Sequence, residues 1–85
     1  MPSTTVTVAS AIGLHARPAN IIAETVTDSG AEVTLSLVDG DPVDAGSALM
    51  IMTLGAAHGT DVVVTSDDAN ALELVAKLVA TDLDA

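Results

Sequence analysis

The chain has 85 residues, a formal net charge of −10, and no cysteine, phenylalanine, tryptophan or tyrosine. Its length predicts one domain, residues 1–85, because two halves could not each bury a core. Nucleic-acid binding by base stacking is excluded without aromatic side chains, and the negative charge repels phosphate backbones and anionic membranes. Without cysteine, disulfides, thiol chemistry and thiolate metal sites are excluded too.

The sequence also predicts a cytoplasmic location. Residues 1–5 contain neither a basic region nor an apolar run, so they do not resemble a signal peptide. No apolar stretch is long enough to cross a bilayer. We therefore expect a soluble protein that does not insert into membranes.

The first half of the chain predicts a strand, a helix and a second strand. Residues 4–9 alternate apolar and polar, which is typical of a half-buried strand. After a loop over residues 10–14, a helix over about 16–27 carries an apolar stripe at three- and four-residue spacing. Gly30 is placed to end this helix. Alternation over residues 32–38 predicts the second strand. The predicted stripe of the helix consists of Ala19, Ile22, Ala23 and Val26.

The second half predicts a turn, two strands and two helices. Residues 39–42 form the turn into a short strand over 42–44, an edge strand because Pro42 has no N–H to donate. Ser47 is expected to cap a short helix extending to about Leu54. Residues 60–65 predict a fourth strand, and residues 66–68 are expected to cap a final helix of about 69–82. Its predicted core face consists of Leu72, Leu74, Val75, Ala76, Leu78 and Val79.

The element order β-α-β-β-α-β-α predicts an α+β fold. One sheet with the helices on one face buries every apolar stripe named above, because each amphipathic element then has a partner surface.

One segment concentrates the chemistry of the chain. Arg17 is the only arginine, and it lies two residues after His15 in a chain with two lysine or arginine side chains. Pro18 fits the first turn of a helix, where its missing N–H would have had no intrahelical partner. The N–H groups at that helix start, near Ala16, favour an anion by about 0.3–1 kcal/mol. The segment therefore predicts a phosphate site, with His15 as nucleophile and Arg17 as a forked charged donor.

This segment, Gly13-Leu14-His15-Ala16-Arg17-Pro18-Ala19, resembles the active-site motif of the HPr family. That family comprises the histidine phosphocarriers of the bacterial phosphoenolpyruvate-dependent sugar phosphotransferase system. Residues 47–55, followed by Gly59, resemble the second signature of the family, and the length is similar. The resemblance implies an open-faced β-sandwich with a four-stranded antiparallel sheet and three helices.

The resemblance also implies a function, that of a covalent phosphoryl carrier rather than an enzyme. Phosphorylated enzyme I would transfer a phosphoryl group to Nδ1 of His15, and IIA domains of sugar permeases would accept it. Arg17 and the helix start at Ala16 would stabilise the phosphoryl group. We expect a monomer without a cofactor. His15, His58 and scattered carboxylates make no recognisable metal site, and His58 is expected to be solvent-exposed.

The distribution of acidic residues predicts a docking face. None lies in residues 1–23 or 45–60, the two windows that hold the His15 segment and the short second helix. The resemblance also implies docking through these two helices; the alternative is chance clustering. One or two apolar side chains of the short helix should be exposed, as suits a transient interface. The predicted docking residues are Asn20, Ala48, Leu49, Met50 and Met52.

At three positions this chain differs from residues that are frequent in the family that it resembles. In part of the family the serine matching Ser47 is phosphorylated by a regulatory kinase; the other interpretation is helix capping alone. A basic residue often precedes that serine, whereas here it is Gly46. Glu24 and Thr27 stand where lysines are frequent, which predicts partner surfaces less acidic than usual.

Three other functions remain open at this point. A paralogous carrier could serve a nitrogen-type relay or a dihydroxyacetone kinase with the same phosphohistidine chemistry. A regulatory module could dock without transferring phosphate, although related regulators lack the histidine that is present here as His15. A small histidine-dependent hydrolase would need an orienting carboxylate, and none lies near His15 in the sequence.

Overall fold

The computed structural model describes residues 2–83. The helices are α1 (Ala16–Ser29), α2 (Ala48–Thr53) and α3 (Ala69–Val79). The strands are β1 (Ser3–Thr7), β2 (Thr34–Leu37), β3 (Val43–Asp44) and β4 (Asp61–Thr65). The chain order β1-α1-β2-β3-α2-β4-α3 is the predicted one.

The strands form one antiparallel sheet in the order β1-β4-β2-β3. β3 lies at the edge, as predicted, and begins just after Pro42. On the central strand β4, Val62 and Val64 are fully buried towards the helices. The register places Val63 between Thr5 and Ser36 on the opposite face, which is open and rich in hydroxyl groups. The sheet therefore has one covered and one uncovered face.

The core is aliphatic throughout. The predicted stripe of α1 is buried in full and packs with side chains of the sheet and of the other two helices. The prediction that Gly30 ends this helix is also confirmed: Gly30 has φ +70° and its N–H donates to the Thr27 carbonyl. The members of the core with no exposed surface include Ile22, Leu35, Ile51, Val62, Val64, Val75 and Val79.

The core face of α3 was predicted too broadly. Ala71, Val75 and Val79 are buried, at a strict four-residue spacing, whereas Leu74 is 46% exposed. Leu72, Ala76 and Leu78 are only partly buried. The small side chain of Ala71 thus packs in the core, where the apolar pattern had predicted Leu74.

Several predicted element ends were also wrong. α3 ends at Val79 rather than 82, because the Thr81 hydroxyl and N–H bond to the carbonyls of Lys77 and Leu78. α1 extends two residues beyond 27, to Ser29, whereas β1 and β2 stop short of residues 9 and 38. Within residues 2–83, no helix has the length and hydrophobicity needed to cross a membrane.

Candidate functional site

His15 is the N-cap residue of α1. Its backbone is extended (φ −84°, ψ −166°), and its carbonyl accepts a hydrogen bond from the Ala19 N–H at 2.9 Å. The side chain does not cap the helix and is half-buried. The imidazole is therefore placed at the helix start without being used to complete the helix.

The loop before His15 is held against the segment that follows α2. The Leu14 N–H donates to the Ala56 carbonyl at 2.9 Å, and the Leu14 side chain is buried. Gly13 has φ +86°, and a Cβ on it would clash with the Ala56 carbonyl and lie 2.9 Å from the Ala57 Cα. Only glycine permits this approach, which joins the two sequence windows that lack acidic residues.

His15 opens onto a surface cavity of about 350 Å³. Ile12 and Leu14 line it on the side of the loop, and Met52 lines it from α2 together with residues 55–57. The cavity walls are largely apolar, and none of the lining residues within 2–83 is acidic. A phosphoryl group on His15 would therefore meet no carboxylate among these residues.

The start of α1 offers donors to an anion. The backbone N–H groups of Ala16 and Arg17 have no hydrogen-bond acceptor within residues 2–83, and Pro18 has no N–H. The first turn contains no acidic side chain. Pro18 lies in this first turn, as predicted, and is buried, while the Arg17 side chain is exposed. A helix start with unused donors and a nearby cation is suited to phosphate.

The short helix α2 presents its apolar side chains to solvent. Ser47 is its N-cap, as predicted, and the Ser47 Oγ accepts from the Met50 N–H at 3.3 Å. Ile51 is buried, whereas Leu49, Met50 and Met52 are 69%, 40% and 38% exposed. All three are thus exposed, where the sequence led us to expect one or two.

Two exposed apolar residues, Ile12 and Met52, line the His15 cavity, and Leu49 and Met50 lie on the same helix as Met52. We define the apolar patch as Ile12, Leu49, Met50 and Met52. α1 and α2 pack together, so the predicted docking residues lie on two adjoining helices. Asn20 is exposed on α1 and Ala48 is half-buried on α2. The patch also includes Ile12, which is 73% exposed and was not among the docking residues predicted from the sequence. An isolated apolar residue in a loop is a pattern that could have indicated it.

A second feature without a sequence signal is Ser10. Its hydroxyl is buried and accepts from the Leu83 N–H at 3.2 Å, and the neighbouring Ala9 N–H donates to the Val79 carbonyl. These bonds fix the end of α3 beside the loop that leads to His15. Leu83 and Ser10 are 73 positions apart in the chain, which is why no local pattern predicts their contact.

Metal-binding residues do not gather elsewhere in the described chain. Residues 2–83 contain no group of three or more histidine, cysteine, aspartate or glutamate side chains able to hold an ion. His58 is exposed in the loop between α2 and β4, as predicted.

Comparison with known proteins gives consistent matches along the chain. The family model for the PTS HPr component phosphorylation site matches residues 2–81. The phosphocarrier protein HPr of Streptomyces coelicolor is 46% identical over 82 residues, which cover 93% of this chain and 88% of that protein. The phosphocarrier protein NPr of Klebsiella oxytoca is 29% identical over 89% of this chain and 84% of its own length.

A solved structure gives the same result for the fold. The crystal structure of a phosphocarrier protein HPr from Bacillus anthracis superposes with a TM-score of 0.83 at 30% sequence identity. The superposition covers 92% of this chain and 95% of that one. The open four-stranded sheet with three helices, predicted from the sequence, is thus confirmed.

Proposed function

This chain belongs to the HPr family of phosphotransferase-system phosphocarriers, and on that basis we propose that His15 carries the phosphoryl group between two protein partners. Phosphorylated enzyme I is the donor, and IIA domains of sugar permeases are the acceptors. The observation that supports this most directly is the position of His15, beside the only arginine of the chain and at a helix start whose Ala16 and Arg17 N–H groups have no acceptor within residues 2–83.

The transfer needs no cofactor. The Nδ1 lone pair of His15 attacks phosphorus while the bond between phosphorus and the donor breaks, and the electron pair of that bond leaves with the donor. The Ala16 and Arg17 N–H groups and the Arg17 guanidinium offset the charge on the phosphoryl oxygens. In the second step Nδ1 is the leaving group, and the partner takes the phosphoryl group.

The exposure of the site suits a group that must be passed on. Arg17 lies at the surface, and the cavity beside His15 is open to solvent on one side. One guanidinium and one helix start bind an anion moderately, since solvent competes for both. A buried cage of cations would hold the phosphoryl group more tightly and slow its departure.

We assign the apolar patch, with Asn20 and Ala48, to the docking of both partners. Leu49→Glu should slow phosphoryl exchange at least about tenfold, because a charge at the centre of an apolar interface would be desolvated. Its melting temperature should stay close to that of the wild type, since Leu49 is 69% exposed. Leu74→Glu on α3, also at an exposed leucine, is the matched control and should leave exchange unchanged. Equal exchange rates for the two variants would contradict the assignment.

The higher identity to the relative named HPr than to the one named NPr supports the sugar branch of the system. We also place the carrier in the cytoplasm, where phosphoenolpyruvate is available to enzyme I.

The deciding experiment is the intact mass of the wild type and of His15→Ala after incubation with enzyme I and phosphoenolpyruvate. We expect one acid-labile phosphoryl adduct on the wild type and none on the variant. If an active enzyme I produced no adduct, a carrier of another relay would be the better interpretation.

Phosphorylation of Ser47 stays a prediction. Its hydroxyl is the cap of α2, and its N–H donates to the carbonyl of Asp44, whose carboxylate binds the Gly46 N–H at 2.8 Å. A phosphate there would suit the helix start but would add charge beside the apolar patch and near Asp44. Incubation with a kinase of the HPr-serine type, followed by intact mass, tests the site; Ser47→Ala is the control.

A further inference from the structure

The oxidisable sulfur atoms of this protein are concentrated on its proposed docking surface. The chain has three methionines and no cysteine, and Met1 lies outside the described residues. The other two, Met50 and Met52, are neighbours on α2 with nearly equal exposure, 40% and 38%. Peroxides oxidise accessible thioethers, so any such oxidation within residues 2–83 is directed to this helix.

Of these two methionines, Met52 lies next to the chemistry. Its side chain lines the same cavity as His15, together with Ile12 and Leu14, whereas Met50 does not line it. Among residues 2–83, none of those that line this cavity is acidic, and the apolar patch would be desolvated when a partner covers it. A polar group introduced at Met52 would therefore be buried against the partner directly beside the transfer site.

We propose that Met52 is a peroxide-sensitive modification site that controls phosphoryl exchange; this rests on the function proposed above. The thioether sulfur attacks one oxygen of hydrogen peroxide, the O–O bond breaks, and an S–O bond forms. Sulfur is oxidised by two electrons, and the peroxide is reduced to water after proton transfer. The product, methionine sulfoxide, is polar and chiral, and thiol-dependent methionine sulfoxide reductases return it to the thioether.

The sulfoxide acts on docking rather than on the imidazole. Its oxygen accepts hydrogen bonds, and an apolar partner surface leaves that acceptor unsatisfied when water is excluded. We expect the second-order rate of phosphoryl transfer to fall about tenfold, a cost within the range for burying an unpaired polar group. The fold should be unaffected, because the Met52 side chain is exposed and the core residue of α2 is Ile51.

The experiment compares the wild type, Met52→Leu and Met50→Leu. Each is treated with hydrogen peroxide, its sulfoxides are mapped by peptide mass, and its transfer rate from enzyme I with phosphoenolpyruvate is divided by that of its own untreated sample. This ratio removes any effect of the substitution itself. The wild type and Met50→Leu should fall to about a tenth. Met52→Leu, which has no sulfoxide beside the His15 cavity and keeps only that of Met50, should lose clearly less of its untreated rate.

Recovery of the transfer rate distinguishes oxidation of methionine from other oxidative damage. Treatment of the oxidised wild type with methionine sulfoxide reductases and a thiol should restore the rate, and far-UV circular dichroism should show the same melting temperature throughout. The inference is wrong if Met52→Leu loses as much as the wild type, if Met52 sulfoxide forms without a loss of rate, or if the reductases fail to restore it. An untreated wild type that takes up no phosphoryl group would contradict the proposed function instead.

Discussion

The two long helices begin in opposite ways. At the start of α3, the Asp68 carboxylate accepts from the N–H groups of Asn70 and Ala71, both at 3.0 Å. The Asp68 N–H itself donates to the buried Ser66 hydroxyl at 3.1 Å. At the start of α1, His15 has the same extended backbone but supplies no side-chain cap. The donors of α3 are thus bonded within the protein, and those of Ala16 and Arg17 have no acceptor among residues 2–83.

This difference separates a helix start that is capped by a side chain from one that is not, and the second is the start to which we assign the phosphoryl group. A carboxylate cap contributes about 1 kcal/mol to stability. α1 forgoes that contribution and is held instead by its buried apolar stripe and by the loop that contacts residues 56 and 57. In an acidic protein, a carboxylate at this position would also repel the phosphoryl group. The predictions below either convert one helix start into the other or remove what distinguishes them.

The largest effect is expected from giving α1 a cap of its own. His15→Asn should abolish the phosphoryl adduct, because the nucleophile is lost. Its unfolding free energy should exceed that of His15→Ala by about 0.5–1 kcal/mol, because asparagine is a good N-cap and can accept from the N–H groups at the helix start. Intact mass and thermal unfolding followed by circular dichroism measure the two effects. His15→Ala is the control, and an equal stability of the two variants would show that these donors gain nothing from a cap.

Next in size is the loss of the contact that places the start of α1. Gly13→Ala should cost about 2–4 kcal/mol, because the new Cβ meets backbone atoms of Ala56 and Ala57 at a positive φ. Gly30→Ala shares the positive φ, but nothing lies within 4 Å of its added Cβ, so it should cost only about 1 kcal/mol. Urea unfolding compares the two. A cost for Gly13→Ala no greater than that for Gly30→Ala would mean that the clash relaxes freely.

A smaller effect is expected at the cation of the site. Arg17→Lys keeps the charge but removes the bidentate fork, so phosphoryl transfer should slow about tenfold without a change in stability. Lys77→Arg on α3 is the reciprocal exchange of the other basic side chain and should leave the transfer rate unchanged. Quenched time courses of phosphorylation by enzyme I and phosphoenolpyruvate measure the transfer rates of both variants. An undiminished rate for Arg17→Lys would show that charge alone suffices.

The smallest effect is expected from uncapping α3. Asp68→Ala should lower the unfolding free energy by about 1 kcal/mol, with no effect on phosphoryl transfer. Asp67→Ala removes a neighbouring exposed carboxylate that caps nothing, and its stability should match that of the wild type within about 0.5 kcal/mol. Urea unfolding of the pair tests this. A slower transfer by Asp68→Ala would mean that the two helix starts are coupled.

The local features of this protein could be predicted from the amino-acid sequence. The stripe of α1, the caps at Ser47 and Asp68, and the end of α1 at Gly30 all depend on residues within a few positions of one another. Helical periodicity, side-chain capping and positive φ act over that distance, so their patterns can be read directly. The His15 segment was found in the same way, as a short motif with a sole arginine.

Contacts between distant parts of the chain could not be predicted in this way. The contact of Gly13 with residues 56 and 57, the bond from Leu83 to Ser10, and the exposure of Ile12 follow from packing between distant parts of the chain. The same holds for α3, where Ala71 rather than Leu74 faces the core. An apolar pattern shows that a face is to be buried, but the curvature and spacing of the neighbouring elements select which side chains fit there. For that reason the sequence could point to His15 as the proposed nucleophile, whereas the cavity that His15 shares with Met52 had no sequence pattern.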